Sequence, residues 1–172
     1  MSDPLELESR RRIYNFVRKN PGVYMREIQR ALEMGTGVLQ YQLDYLVKKG
    51  LLSVYVDGRR KRYYCTESVS APDKNILAML RQKVPRRIMM VCISKNGADF
   101  HSIAEFVGSS KSNISFHLSK LIKMGIIEER EEGGEKRYYV RDPEKISDFI
   151  VTYRESYLDD LVDRFVESFM GI

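Results

Sequence analysis

Residues 11–65 can be laid over residues 86–140 without a gap at a shift of 75, and 14 of the 55 positions are then identical. Chance would give only a few. Self-similarity at a long fixed period is the mark of a duplicated structural unit, so the chain must fold as something one short unit can form twice. The identities pair Arg11, Arg12 and Ile13 with Arg86, Arg87 and Ile88, Gly22 with Gly97, and Ile28 with Ile103. They continue with Leu43, Leu46, Lys48 and Gly50 on Leu118, Leu121, Lys123 and Gly125, then Gly58 on Gly133. The last four are Lys61, Arg62, Tyr63 and Tyr64 on Lys136, Arg137, Tyr138 and Tyr139. Glycines at turns, apolar residues at helical spacing and one basic-aromatic tetrapeptide are what two copies of one fold would keep.

Each copy reads the same way. In the first, Ile13, Phe16 and Val17 predict a helix that Asn20-Pro21-Gly22 stops. A short second helix is expected over about 24–32, with Ile28, Ala31 and Leu32 apolar, and Met34-Gly35-Thr36-Gly37 turns the chain into a third. The inward face of the third is expected to be Val38, Leu39, Leu43, Leu46 and Val47, and Gly50 ends it. Leu51 to Val56 then alternates like a strand, Asp57-Gly58 is a hairpin turn, and Lys61 to Cys65 returns. The second copy repeats the order: a helix over 100–107, Ser109-Ser110 capping a helix through Met124, Gly125 as its stop, and a hairpin turning at Gly133-Gly134. Three helices and a two-stranded hairpin make a winged helix-turn-helix, so the expected fold is mainly α with small β-hairpin wings, in tandem.

The rest of the chain fits around the copies. Residues 67–84 are expected to be a linker and connecting helix between winged-helix domains at 1–66 and 85–142. Pro143 should open one long helix to about Met170, in which Ile146, Phe149, Ile150, Tyr153, Tyr157, Leu161, Phe165 and Phe169 form an amphipathic stripe. Such a stripe must be covered, by the two domains or by a second copy in a homodimer. The chain has no apolar run long enough to span a membrane and no charged-apolar-small leader, which predicts a soluble, cytoplasmic protein.

Charge is uneven. Residues 1–66 hold 13 basic and 7 acidic side chains, residues 85–142 hold 10 and 8, and residues 143–172 hold 3 and 7. The basicity belongs to the copies and the terminal segment is acidic, so a surface for double-stranded DNA should exclude that segment. Arg59-Arg60-Lys61-Arg62 directly after the first hairpin turn places four cations where they repel one another unless an anion is near. A helix fits the major groove, so base contacts are expected from the third helix of each copy. With Ile114, Leu118 and Leu121 inward, the outward face holds Ser112, Asn113, Ser115, Phe116, Ser119, Lys120 and Lys123, with Ser110 and Lys111 at its start. The first copy offers Thr36, Gly37, Gln40, Tyr41, Asp44, Tyr45 and Lys48 there. Gln40 suits adenine, while Asp44 opposes phosphate.

Other polar residues read as structural. His117 flanks the buried face of its helix, and His101 starts a helix with no third ligand spaced to it, so no metal is expected. Cys65 ends a strand and Cys92 lies in an apolar helix, too few for a disulfide framework. The tyrosine pairs 63–64 and 138–139 sit on returning strands, which should turn one of each pair inward. No P-loop, dinucleotide turn, nucleophile elbow or catalytic acid cluster is present, so neither an enzyme nor a cofactor is expected.

RRRIYNFVRKNPG, GVLQYQLDYLVKKGLLS and DGRRKRYY, followed by PRRIMMVCISKNG, SSKSNISFHLSKLIKMGIIEE and GGEKRYY, resemble the archaeal transcription regulators with tandem winged helices related to the ArsR and MarR types. The resemblance spans about residues 10–140. It implies sequence-specific DNA binding, with Ser110, Lys111, Ser112, Asn113, Ser115 and Phe116 at bases or phosphates and Arg59, Arg60, Lys136 and Arg137 at the wings. Two departures matter. Glu128, Glu129, Glu131, Glu132 and Glu135 flank the second wing, which weakens its attraction for DNA, and the metal-sensing cysteine pair of the ArsR type is absent. The competing expectation is a protein-binding tandem winged-helix adaptor of chromosome or transcription machinery, for which a wing lined with glutamates is suited.

Overall fold

Helix α1 (Glu8–Lys19) sets Ile13 and Val17 four residues apart on one face, both fully buried, and stops at Asn20, ahead of Pro21. The computed structural model describes residues 2–171. From α1 the chain runs through β1 (Val23–Tyr24), α2 (Met25–Leu32), α3 (Thr36–Lys48), β2 (Leu52–Asp57) and β3 (Arg60–Cys65). The strands form an antiparallel sheet in the order β1-β3-β2, with Leu52 opposite Cys65 and Asp57 opposite Arg60. Apolar side chains from each element meet in one core: Ile13, Val17, Ile28, Leu39, Leu43, Leu46, Leu52 and Tyr63.

Two sequence expectations change here. Val38 is 57% exposed, and the polar Gln42 takes a place on the inner face of α3. Gln42 tolerates burial because its Oε1 accepts a hydrogen bond of 2.6 Å from Arg10 Nε. Tyr63 and Tyr64 are also both buried rather than facing opposite ways. The Tyr64 hydroxyl donates to the carbonyl of Lys74 at 2.9 Å, in the first turn of α4 (Asp73–Leu80), so the outer face of β3 is covered too.

The boundary between the chain's two units falls within α4, after Ala78. The second unit repeats the design with α5 (Lys83–Ser94), α6 (Phe100–Val107), α7 (Lys111–Lys123), β4 (Ile127–Glu132) and β5 (Glu135–Val140). A single bridge between Ala98 and Tyr138 stands where the first unit pairs Val23 with Tyr63. Asp99 caps α6 by accepting from the Ser102 amide at 2.7 Å, and Ser110 caps α7 by accepting from the Asn113 amide at 3.2 Å.

The terminal segment is not one helix but three: α8 (Pro143–Thr152), α9 (Arg154–Tyr157) and α10 (Asp160–Met170). The breaks fall at Tyr153 and at Leu158, whose φ of 50° is left-handed and costs a residue with a Cβ about 1–2 kcal/mol. That turn delivers Asp159 into the interior. Asp159 receives hydrogen bonds from Arg86 Nη2 and Arg87 Nη2 at 2.9 Å each, and its Oδ1 caps α10 through the Leu161 amide at 3.1 Å. The stripe expected of a single helix is largely consumed inside this unit: Ile146, Ile150, Tyr157 and Phe165 are buried, α10 packs against α5 and α8, and Phe169 stays exposed. Among the described residues no helix is long and apolar enough to cross a membrane.

Burial alone would raise the Asp159 carboxyl, but hydrogen bonds from Arg87, Arg86 and the Leu161 amide outweigh it and bring its pKa down to about 2. A carboxylate held below its unfolded value of about 3.9 contributes stability above that pH and loses it as pH falls towards 2. Asp159→Asn should therefore destabilise the protein by about 3 kcal/mol at pH 7, because the buried Arg86 and the half-buried Arg87 lose their shared counter-charge. Urea unfolding at pH 7 and pH 3 checks both points: the gap between wild type and variant narrows at the lower pH.

Candidate nucleic-acid interface

Helix α7 carries three lysines and no acid. Its buried line is Ile114, Leu118 and Leu121, and a 100° step per residue turns Lys111, Ser112, Asn113, Ser115, Phe116, Ser119 and Lys123 outward, all exposed. Lys120 is half-buried. Ser112, Ser115, Phe116, Ser119, Lys120 and Lys123 line one shallow depression along this face. Two of the expected contact residues also hold the helix start together: Ser110 is the cap, and the Asn113 side chain donates to Ser109 Oγ at 2.9 Å.

The equivalent face of α3 is less free. Thr36, Tyr41 and Lys48 are exposed, with Thr36 Oγ1 accepting from Gln29 Nε2 at 2.8 Å. Gln40 is half-buried and donates to Asp44 Oδ1 at 2.9 Å, so one amide hydrogen is committed and the Asp44 charge is partly satisfied within the helix. Tyr45 is covered: the Arg10 guanidinium lies 3.6 Å from its ring centroid and the Lys49 ammonium 5.6 Å.

The two wings differ in charge. On β3, Arg59 at the turn and Arg60 and Lys61 beyond it are exposed, but Arg62 is 2% exposed. Its Nε meets Asp57 Oδ2 at 2.9 Å, its Nη1 donates to the Gly22 carbonyl at 2.9 Å, and its guanidinium lies 4.1 Å from the Tyr24 ring centroid. Arg62 is thus a structural arginine, removed from the cationic surface on which the run of four bases placed it. Desolvation raises the Tyr24 phenol, which donates to the same Asp57 carboxylate at 3.1 Å.

Arg59, Arg60 and Lys61 do not stand alone. They line a groove of about 650 Å³ with Arg26 and Arg30 of α2, Tyr24, Met25, Glu27, Gln40 and Tyr63. Five cations face one acid there, and that acid, Glu27, accepts from the Tyr24 amide at 2.8 Å. Sequence reasoning missed Arg26 and Arg30. Their signal was the i, i+4 spacing of two arginines on the exposed side of α2, where the second copy has His101 and Glu105.

The second wing is net acidic and partly self-paired. Its residues 127–140 hold five glutamates against three bases. Arg130 pairs with Glu128 at 2.6 Å and Lys136 with Glu129 at 3.6 Å. The hydrogen bond from Arg130 and its charge hold the Glu128 carboxyl below the usual range. The Tyr139 hydroxyl donates to Glu132 at 2.8 Å, and Arg137 donates to the Gly97 carbonyl at 3.4 Å, the same contact Arg62 makes with Gly22. Lys136 and Arg137 therefore lie among local partners, whereas Arg59, Arg60 and Lys61 of the first wing are exposed beside one another.

The remaining candidates are His117 and the two cysteines. His117 is half-buried with its Nδ1 lacking a hydrogen-bond partner, and desolvation lowers its pKa, so the neutral ring is favoured. Among the described residues no three His, Cys, Asp or Glu side chains gather as metal ligands. Burial pushes the Cys65 thiol up to about 11 and the Cys92 thiol up to about 12, which removes both from thiolate chemistry near neutral pH.

Two comparisons relate the sequence to known proteins. Residues 7–77 match a family described as an N-terminal HTH domain, and residues 85–129 match the family described as bacterial regulatory protein, arsR family. The chain is also 28% identical, over 136 residues, to an uncharacterized HTH-type transcriptional regulator of Methanocaldococcus jannaschii, an alignment that covers 78% of this chain and 34% of that protein. The chain therefore spans about a third of the length of this curated relative.

The different roles of neighbouring arginines can be separated by stability. Arg62→Ala should cost about 2–3 kcal/mol, because it strands the buried Gly22 carbonyl and takes the guanidinium from half-buried Asp57, while Arg60→Ala should change stability by less than about 0.5 kcal/mol. Denaturant midpoints of the two variants test this.

Proposed function

Taking the chain as a tandem winged helix-turn-helix protein of the archaeal regulator kind, we propose that it is a sequence-specific, double-stranded DNA-binding transcription regulator. The observation that carries this reading is the groove of the first unit, in which Arg26, Arg30, Arg59, Arg60 and Lys61 stand beside α3. A helix inserted in the major groove is flanked on both sides by phosphates, and cations from α2 and from the wing are where those phosphates would lie. Thr36, Gln40, Tyr41 and Lys48 of α3 and Lys111, Ser112, Asn113, Ser115, Phe116 and Lys120 of α7 supply the groove-facing side chains. The free amides at the start of α7, around Ser110, suit a further phosphate. The two units act as covalently linked readers of neighbouring half-sites. This arrangement needs no second copy, and the burial of the terminal stripe inside the second unit supports it.

A protein-binding adaptor is the second reading, and the acidic, self-paired second wing favours it. Selection of bound duplexes from a random DNA pool at physiological salt separates the two. A defined motif supports the regulator, whereas no enrichment together with no binding at low salt supports the adaptor. For the regulator, replacing Arg59 and Arg60 by Ala should weaken all duplexes alike and lower the slope of log affinity against log salt by about two units, roughly one per lost phosphate contact. The same pair of changes at Lys136 and Arg137 should alter the slope far less, since those cations lie among glutamates. Anisotropy titrations over a salt series check the contrast.

A further inference from the structure

The outward faces of α3 and α7 have diverged almost completely. At the shift of 75, Thr36 faces Lys111, Gly37 faces Ser112, Val38 faces Asn113, Gln40 faces Ser115, Asp44 faces Ser119 and Tyr45 faces Lys120. Two outward positions keep their chemistry. One is the lysine at the end of each helix, Lys48 and Lys123, where a cation also favours the helix carboxy terminus. The other is an aromatic ring, Tyr41 in α3 and Phe116 in α7, the sixth residue of each helix and 64% exposed in both.

The shared ring lies outside the buried core of either unit. Leu43 and Leu118 lie two residues on, about 200° round the helix, and those are the buried positions. Single exposed apolar residues are ordinary on protein surfaces, but an equally exposed aromatic at one position of two otherwise divergent helices marks a shared demand. Small neighbours leave it unshielded, since Ser112, Ser115 and Ser119 surround Phe116. His117 meets the Phe116 ring edge-on at 5.2 Å between centroids.

We propose that Phe116 and Tyr41 each read a thymine through its C5-methyl group, giving both domains one base preference in common. This rests on the reading of α3 and α7 as major-groove helices. In that groove the thymine methyl is the one apolar feature, while every other base edge presents donors or acceptors. The phenylalanine ring can satisfy none of these and would desolvate them at a cost. The polar residues that differ between the helices then supply what distinguishes one half-site from the other.

The test uses the full chain and the duplex it selects from a random pool, with each thymine replaced in turn by uracil, which removes only the methyl. Loss of one buried methyl should weaken binding about three- to fivefold at one thymine in each half-site. Phe116→Ala should abolish the uracil effect at one of them and Tyr41→Ala at the other, while both variants, altered at exposed positions, keep the wild-type melting temperature. If the wild type selects a motif yet no uracil changes its affinity, methyl reading is overturned and DNA binding stands. A variant that weakens thymine and uracil duplexes equally also overturns it, as does one whose main effect is on the mass of the protein in solution. If no duplex is selected at all, the DNA-binding reading itself falls, and this proposal with it.

Discussion

Each unit hangs its hairpin on one joint, a guanidinium of the returning strand donating to the carbonyl of a glycine after the first helix. In the first unit Arg62 reaches Gly22, and in the second Arg137 reaches Gly97. The same stretch is tied by backbone: the Gly22 amide donates to the Tyr63 carbonyl at 2.9 Å, and Ala98 and Tyr138 exchange hydrogen bonds at 2.9 and 3.1 Å. Gly22 and Gly97 have φ of 90° and 101°, a region other residues rarely enter, and a Cβ on Gly97 would lie 2.4 Å from the Tyr139 ring. The joint ties the hairpin to the segment that leads into the second helix, and in the first unit the cations of β3 share a groove with those of α2.

That joint explains why the repeat was legible. Gly22, Arg62 and Tyr63 are identities with Gly97, Arg137 and Tyr138 because each is fixed by geometry, and the leucines of α3 and α7 because each is fixed by burial. The same chemistry defeated the reading of Arg62 as a phosphate ligand. Four consecutive bases look alike in sequence, and Arg60 and Arg62 even lie over the same Tyr24 ring, yet only Arg62 also meets Asp57 and the Gly22 carbonyl and is drawn inward. The terminal segment failed for another reason. Apolar residues continue at three- and four-residue spacing through Tyr153, Tyr157 and Leu161, so periodicity carries no trace of the break. The break sets Asp159 against arginines more than 70 residues earlier, a contact that local periodicity does not register.

The charge difference between the wings shapes how a tandem protein would engage a polyanion. The first wing projects three exposed cations that share a groove with two arginines of α2, and the second pairs Arg130 and Lys136 with its own glutamates. Long-range attraction would then come chiefly from the first unit, with α7, which has no acid, contributing shorter-range contacts. Electrostatic capture and base discrimination need not be divided evenly between two copies of one fold. A duplicated chain is free to specialise them, since covalent linkage brings the second reader to the duplex once the first is bound.

The specialisation extends to the scaffold. Arg11 and Arg12 correspond to Arg86 and Arg87, and the second arginine of each pair makes the same contact, Arg12 with the Leu32 carbonyl and Arg87 with that of Val107. What differs is the acid. Asp159 pairs with both Arg86 and Arg87 in the second unit, where Arg86 is buried, whereas Arg11 is exposed in the first. The helices follow suit: α5 buries Met89 and Met90 where α1 places a half-buried Tyr14 and an exposed Asn15. An arginine pair common to both copies has therefore become the anchor of the terminal helices in one unit only, and the apolar outer face of α5 belongs with that anchor, because α10 packs on it.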